Sequence, residues 1–269
     1  MGDLRLSQEK EGEAEEYFRE SLGITRELVE RDGSNADWKR DLTVSLIRMG
    51  DLRLSQEKEG EAEEYFRESL GITRELVERD GSNADWKRDL TVSLIRMGDL
   101  RLSQEKEGEA EEYFRESLGI TRELVERDGS NADWKRDLTV SLIRMGDLRL
   151  SQEKEGEAEE YFRESLGIMR ELVERDGSNV GWKRDLTVSL IRMGDLRLSQ
   201  EKEGEAEEYF RESLDIMREL VARDGSNVGW KKDLVIFLKR MANLRVLQEQ
   251  EEEAEKLYKE ARDIRHGLE

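Results

Sequence analysis

The sequence predicts an all-α chain of stacked antiparallel helix hairpins, and three observations predict it. The octapeptide MGDLRLSQ begins at Met1, Met49, Met97, Met145 and Met193, with a drifted copy at Met241, so a unit of 48 residues is written five times and begun a sixth. Within each unit apolar residues recur at steps of three and four, the period of a helix with one buried face. The 269 residues include no proline and only 6% aromatics, which disfavours a loop-rich all-β architecture.

Taken in order, the second unit opens its helical part after Asp80-Gly81-Ser82-Asn83, a turn cluster. Gly81 is expected to supply a positive φ, and Ser82 with Asp85 to form a capping box. The first helix should run from there to about Gln104, with Trp86, Leu90, Ser93, Met97 and Leu100 on its buried stripe. Glu105-Lys106-Glu107-Gly108 then breaks the pattern. The second helix, read one unit earlier, starts near Gly60 and ends at Arg79 or Asp80. It carries Ala62, Tyr65, Phe66, Ser69, Leu70, Ile72, Thr73, Leu76 and Val77 inward. Each helix has about 21 residues, roughly 31 Å at 1.5 Å per residue. The turns between them are short enough to force antiparallel packing. Glu75 and Arg79, spaced i and i+4, should pair on the second helix.

The array is expected to be one domain with units 1–48, 49–96, 97–144, 145–192 and 193–240 and a partial capping unit 241–269. The first three units are identical, and the fourth differs only at Met169, Val180 and Gly181. Such identity points to recent duplication or deliberate construction.

Composition narrows the function. Sixty-six acidic against 46 basic residues give a formal charge of -20, and without a local basic face nucleic acid is not an expected partner. No stretch is apolar enough to span a membrane, and Met1-Gly2-Asp3-Leu4-Arg5 lacks the apolar core of a signal peptide, so a soluble cytoplasmic protein is expected. With no cysteine and a single His266, thiolate and paired-imidazole chemistry are excluded. Glu61, Glu63 and Glu64 form an acidic cluster read as solvated helix surface, not a metal site. Neither an enzyme nor a cofactor is expected, because identical units present the same surface repeatedly instead of one asymmetric pocket.

Met49-Gly50 followed by Ala62-x-x-x-Phe66 resembles the Leu-Gly and Ala-x3-Phe elements of the tetratricopeptide repeat family, at the family's spacing. Gly98 with Ala110 and Phe114, Gly146 with Ala158 and Phe162, and Gly194 with Ala206 and Phe210 repeat the match. Leu46 stands where the family prefers Trp, Arg53 where it prefers Tyr, and Gly81 replaces its turn Pro. The unit is fourteen residues longer than the family's 34, seven in each helix, and seven residues nearly preserve helical phase. The resemblance implies a right-handed α-solenoid, with Gly50, Gly98, Gly146 and Gly194 allowing close approach opposite Ala62 and its equivalents. It also implies a concave partner-binding face on the first helices. By helical phase that face comprises Val44, Ile47, Asp51 and Leu54; Asp85, Arg88, Val92, Ile95, Asp99 and Leu102; Val140, Ile143, Asp147 and Leu150; and Val188, Ile191, Asp195 and Leu198. An acidic ladder interleaved with β-branched residues suits a protein or peptide carrying basic and apolar groups. The family's carboxylate-binding clamp is disfavoured, because Ile47 and Asp51 occupy the places of its Lys and Asn. The rival reading is a structural or self-associating array with no dedicated ligand.

The two ends differ. Leu70 and Thr73 correspond to Arg262 and Arg265 in the last unit, which reads as a charged C-terminal cap, with Phe237 and Lys239 as further terminal changes. At the N-terminus only the last turns of a first helix precede the helix carrying Tyr17, Phe18, Leu22, Ile24, Leu28 and Val29. That edge is expected to lack a partner and to favour self-association.

Overall fold

A computed structural model describes residues 11–268. Residues 1–10, where the sequence places the remnant of a first helix, lie outside the described residues. Eleven helices follow: α1 Glu11–Arg31, α2 Ala36–Ser55, α3 Glu59–Arg79, α4 Ala84–Ser103, α5 Glu107–Arg127, α6 Ala132–Ser151, α7 Glu155–Arg175, α8 Val180–Ser199, α9 Glu203–Arg223, α10 Val228–Leu247 and α11 Glu251–His266. The chain divides inside α6 into two compact units, one ending at Met145 and the other beginning at Gly146. In the first, α1 packs on α2, α2 on α3, α3 on α4 and α4 on α5, and α2 also reaches α4. In the second, α7 packs on α8, α8 on α9, α9 on α10 and α10 on α11. Each unit is an all-α stack of antiparallel hairpins. No described helix is long and apolar enough to cross a membrane.

The helix starts differ in chemistry from expectation. Asn83, not Ser82, is the N-cap of α4: its Oδ1 accepts from Trp86 N at 3.1 Å, as Asn35, Asn179 and Asn227 do for α2, α8 and α10. Ser82 instead donates its backbone N–H and its hydroxyl to Asp80 Oδ1 at 2.9 and 2.7 Å, closing an Asx turn. Gly81 does not use positive φ; no described glycine does. The left-handed residue sits in the other turn and is Glu105, with φ 59. Around it Glu105 N–H donates to Leu102 O at 3.0 Å and Lys106 N–H to Arg101 O at 2.8 Å, the paired bonds of a Schellman motif. Glu57, Glu153, Glu201 and Glu249 repeat the conformation.

The core is built between facing helices. Phe66, Phe114, Phe162 and Phe210 are fully or almost fully buried. The helical glycines make room for these rings: a Cβ on Gly50 would lie under 3.0 Å from Cε1 of Phe66, and the same overlap holds at Gly98, Gly146 and Gly194. The close partner is therefore the phenylalanine ring, not Ala62 as the spacing suggested. In the last hairpin both members change together, Ala242 standing for Gly and Tyr258 for Phe, and the half-buried Tyr258 hydroxyl donates to Asn243 Oδ1 at 2.6 Å. Buried serines also meet across the helices, Ser69 with Ser93 and Ser117 with Ser141, each at 2.9 Å.

Candidate interaction face

The eighteen positions placed on the partner face by helical phase separate into three environments. Val44, Val92, Val140 and Val188 are exposed, Val92 by 44%, and Asp85 is exposed at the start of α4. Ile95, Ile143 and Ile191 are buried, Ile95 to 7% exposure, and Ile47 is half-buried. Leu54, Leu102, Leu150 and Leu198 are half-buried; Leu54 packs on the core cluster of the following hairpin, and Leu198 on that of the last hairpins. A full heptad of partner contacts is thus corrected to its valines and flanking acids. Helical phase gives a residue's direction from its own axis but not the side chains of the adjacent hairpin that cover it.

The acidic ladder is also already engaged. In the first unit Asp51 Oδ1 lies 2.9 Å from Arg96 Nε, and Asp99 Oδ1 lies 2.8 Å from Arg144 Nε. In the second, Asp147 Oδ1 lies 2.8 Å from Arg192 Nε, and Asp195 is bonded by Arg240. Arg88, assigned to the same face, is held by Asp137. Burial raises the carboxyl pKa of Asp51, Asp99 and Asp195, and the neighbouring arginines only partly offset it. Asp137 is raised for the same reason against the pull of Arg88. These carboxylates belong to the joints between hairpins.

Uncommitted acid lies one turn earlier. Asp37, Arg40, Asp41, Val44 and Asp89 line a cleft of about 350 Å³ on α2 and α4. Arg40 Nε is bound to Asp89 Oδ2 at 2.5 Å, while Asp37 and Asp41 are exposed. The wall therefore offers carboxylates beside the exposed Val44 methyls, an arrangement that accepts a cation on an aliphatic stem. In the second unit Gly181 and Gly229 take the place of Asp37, so the feature is not repeated there in full. Asp37 and Asp41 were missed by a reading that followed the valine heptad alone; the clue was Asp37 and Asp41 spaced i and i+4, one turn before Val44.

A second charged network faces away from this cleft. Arg101, nearly buried, donates to Glu63 through Nη1 and Nη2 at 2.9 Å each and to Gln104 Oε1 at 2.7 Å, with Glu109 Oε2 2.8 Å from its Nε. Arg53 does the same with Glu15, Gln56 and Glu61. Glu63 is held down to about 2, chiefly by the bond from Arg101, as are Glu15, Glu159 and Glu207 by their arginines. Glu61 and Glu63, read as solvated, are thus members of arginine clamps. The expected Glu75–Arg79 pair is not made either. Glu75 accepts from Lys39 Nζ of the preceding hairpin at 2.6 Å, and Arg79 donates to Ser34 O at 2.8 Å while its guanidinium lies 5.8 Å from the Trp86 ring centre. Among the described residues no group of three or more acids or imidazoles converges as a metal would require.

No family model matches the sequence, and no curated protein matches it. Solved structures do match the fold. BtubC (BKLC) from P. vanneervenii superposes with a TM-score of 0.66 at 18% identity, over 94% of this chain and 89% of that one. The apo form of RapI gives 0.57 at 13%, over 98% and 95%. Nearly identical TPR-like repeats from Podosopora anserina give 0.52 at 13%, over 84% and 95%. The fold is tetratricopeptide-like. In this tetratricopeptide-like chain the family's Tyr position is taken by Arg53 and its equivalents. That change converts an apolar packing position into the arginine clamp described above.

Proposed function

We propose that the chain is a protein-interaction scaffold, not an enzyme, and that it takes a peptide or protein segment presenting Lys or Arg beside an apolar side chain. The observation that carries this reading is the cleft on α2 and α4, where the exposed Asp37 and Asp41 border Val44. A lysine stem laid on the valine brings its ammonium to the carboxylates. Charge complementarity of this kind raises the association rate and fixes orientation more than it raises affinity. The test is calorimetric titration with peptides that pair Lys or Arg with Leu or Ile, against the same peptides with Glu for the bases. Binding of the basic series alone, weakened about tenfold by Asp37→Lys with Asp41→Lys, supports the proposal; a tenfold change is the loss of one exposed-to-half-buried charge contact. Equal binding of the acidic series, or none of either, overturns it and leaves a structural array without a dedicated ligand.

Self-association is a second reading, favoured by the α1 edge, where Tyr17 is 36% and Ile24 53% exposed. Their equivalents Tyr65 and Ile72 are half-buried and pack on the core cluster of the preceding hairpin. The apolar side chains on α1 therefore match a surface that elsewhere is covered by another hairpin.

A further inference from the structure

We infer that self-association is head to tail: the α1 edge of one chain docks on the α10–α11 end of a second copy. This rests on the self-association reading and adds its partner surface, which the peptide titration above does not probe.

The argument starts from how hairpins are joined within each unit. Across these joints, cations of one hairpin reach carboxylates of the next. In the first unit Arg26 Nη2 meets Glu68 Oε2 at 2.6 Å, Lys39 Nζ meets Glu75 Oε1 at 2.6 Å, and Arg40 Nε meets Asp89 Oδ2 at 2.5 Å. In the second unit the same three contacts join Arg170 to Glu212, Lys183 to Glu219 and Arg184 to Asp233, at 2.8, 2.7 and 2.7 Å. The joint is thus polar in direction, with cations on its leading side and acids on its receiving side.

At α1 the receiving side is displayed. Glu20, Glu27 and Asp41 occupy the positions of Glu68, Glu75 and Asp89 and are exposed, as are Tyr17 and Ile24 between them. At the other end the leading side is displayed. Lys231 stands 48 residues after Lys183, but the position of its carboxylate partner is Gly267. Lys232 keeps a cation at the Arg184 position, and Arg262 and Arg265 add exposed guanidinium groups where interior units have Leu70 and Thr73. Apolar surface accompanies them: Val246 and Leu247 at the end of α10 are 50% and 56% exposed, Leu247 in place of a serine. An acidic edge with apolar side chains and a basic end with apolar side chains are complementary, whereas two α1 edges brought together would oppose like charges. A heterologous contact of this kind builds chains instead of closed dimers.

The experiment uses the full chain and light scattering coupled to size-exclusion chromatography between about 1 and 500 μM, a range that reads micromolar to submillimolar dissociation constants. A head variant, Glu20→Lys with Glu27→Lys, carries base at both ends; a tail variant, Lys231→Glu with Arg265→Glu, carries acid at both. The expected result is concentration-dependent mass growth for the wild type, weakened by salt. Each variant alone should associate about tenfold more weakly, a size set by loss of a few exposed ion pairs, and an equimolar mixture of the two should regain wild-type growth. A monomeric wild type over the whole range overturns self-association and this inference together. A wild type that stops at a dimer, with a tail variant that dimerises as well as wild type, overturns the head-to-tail contact while leaving self-association standing.

Discussion

Gly98 and Phe114 are built as one contact: a Cβ on the glycine would stand under 3.0 Å from Cε1 of a fully buried ring. Gly98→Ala should therefore destabilise the chain by about 1–3 kcal/mol, the range for overpacking a filled core. A Cβ added at Gly119, in the middle of α5, would meet nothing within 4 Å, so Gly119→Ala should stabilise by about 0.5–1 kcal/mol through helix propensity. Urea unfolding of the two variants should move in opposite directions.

Glu105 holds φ 59 in the turn between α4 and α5. A side chain in the left-handed region costs about 1–2 kcal/mol, part of which glycine recovers by removing Cβ and part of which it loses to chain entropy. Glu105→Gly should raise stability by about 0.5–1 kcal/mol, and Glu105→Val should lower it, since a branched Cβ crowds that region most. Thermal unfolding of both checks the sign.

The arginine clamps make acid stability directional. Glu63 is depressed from 4.5 to about 2, so the folded state binds fewer protons than the unfolded chain. Its contribution is complete above 4.5 and is lost as pH falls toward about 2. Asp99 pulls the other way: its pKa is raised by burial above the ordinary 3.8, so its protonation favours the folded state as pH falls. Glu63→Gln with Glu159→Gln should flatten the acid limb of stability against pH, measured by urea midpoints from neutral pH down to about 3, where carboxylate linkage acts. An unchanged acid limb would refute the clamp as its source.

The buried Ser69–Ser93 pair has a control within the same chain. Where Phe237 replaces the second serine, Ser213 turns its hydroxyl to Phe210 O of its own helix at 3.0 Å. Ser69 has the same fallback, so Ser93→Ala should cost less than about 1 kcal/mol instead of the larger penalty of an orphaned buried donor. A double-mutant cycle with Ser69→Ala should return a small coupling.

Much of this was legible from order alone. The repeat located every hairpin, and helical phase placed Phe66, Leu70, Leu90 and Leu100 in the core, because burial of a periodic stripe is a local property of one helix. The turns were misassigned in chemistry because Gly81 and Glu105 are judged by preference, while the closing bonds decide: the Asx turn at Asp80 needs no positive φ, and the Schellman bonds at Arg101 and Leu102 impose it on a glutamate. The partner face was legible only in part. Val92 and Ile95 lie on one side of α4 by phase, yet one is exposed and the other buried.

The sequence by itself determined an array of antiparallel helix pairs, its period, its core stripe and its acidic character, all consequences of residue spacing along a single helix. Only the tertiary structure decided that Asp51 and Asp99 are spent on arginines of the next hairpin, that Glu63 is clamped by Arg101, and that Asp37 and Asp41 remain available. Those outcomes depend on which side chains meet across separate helices, and in identical units every acid has several arginines at equivalent sequence distances; geometry between hairpins selects among them.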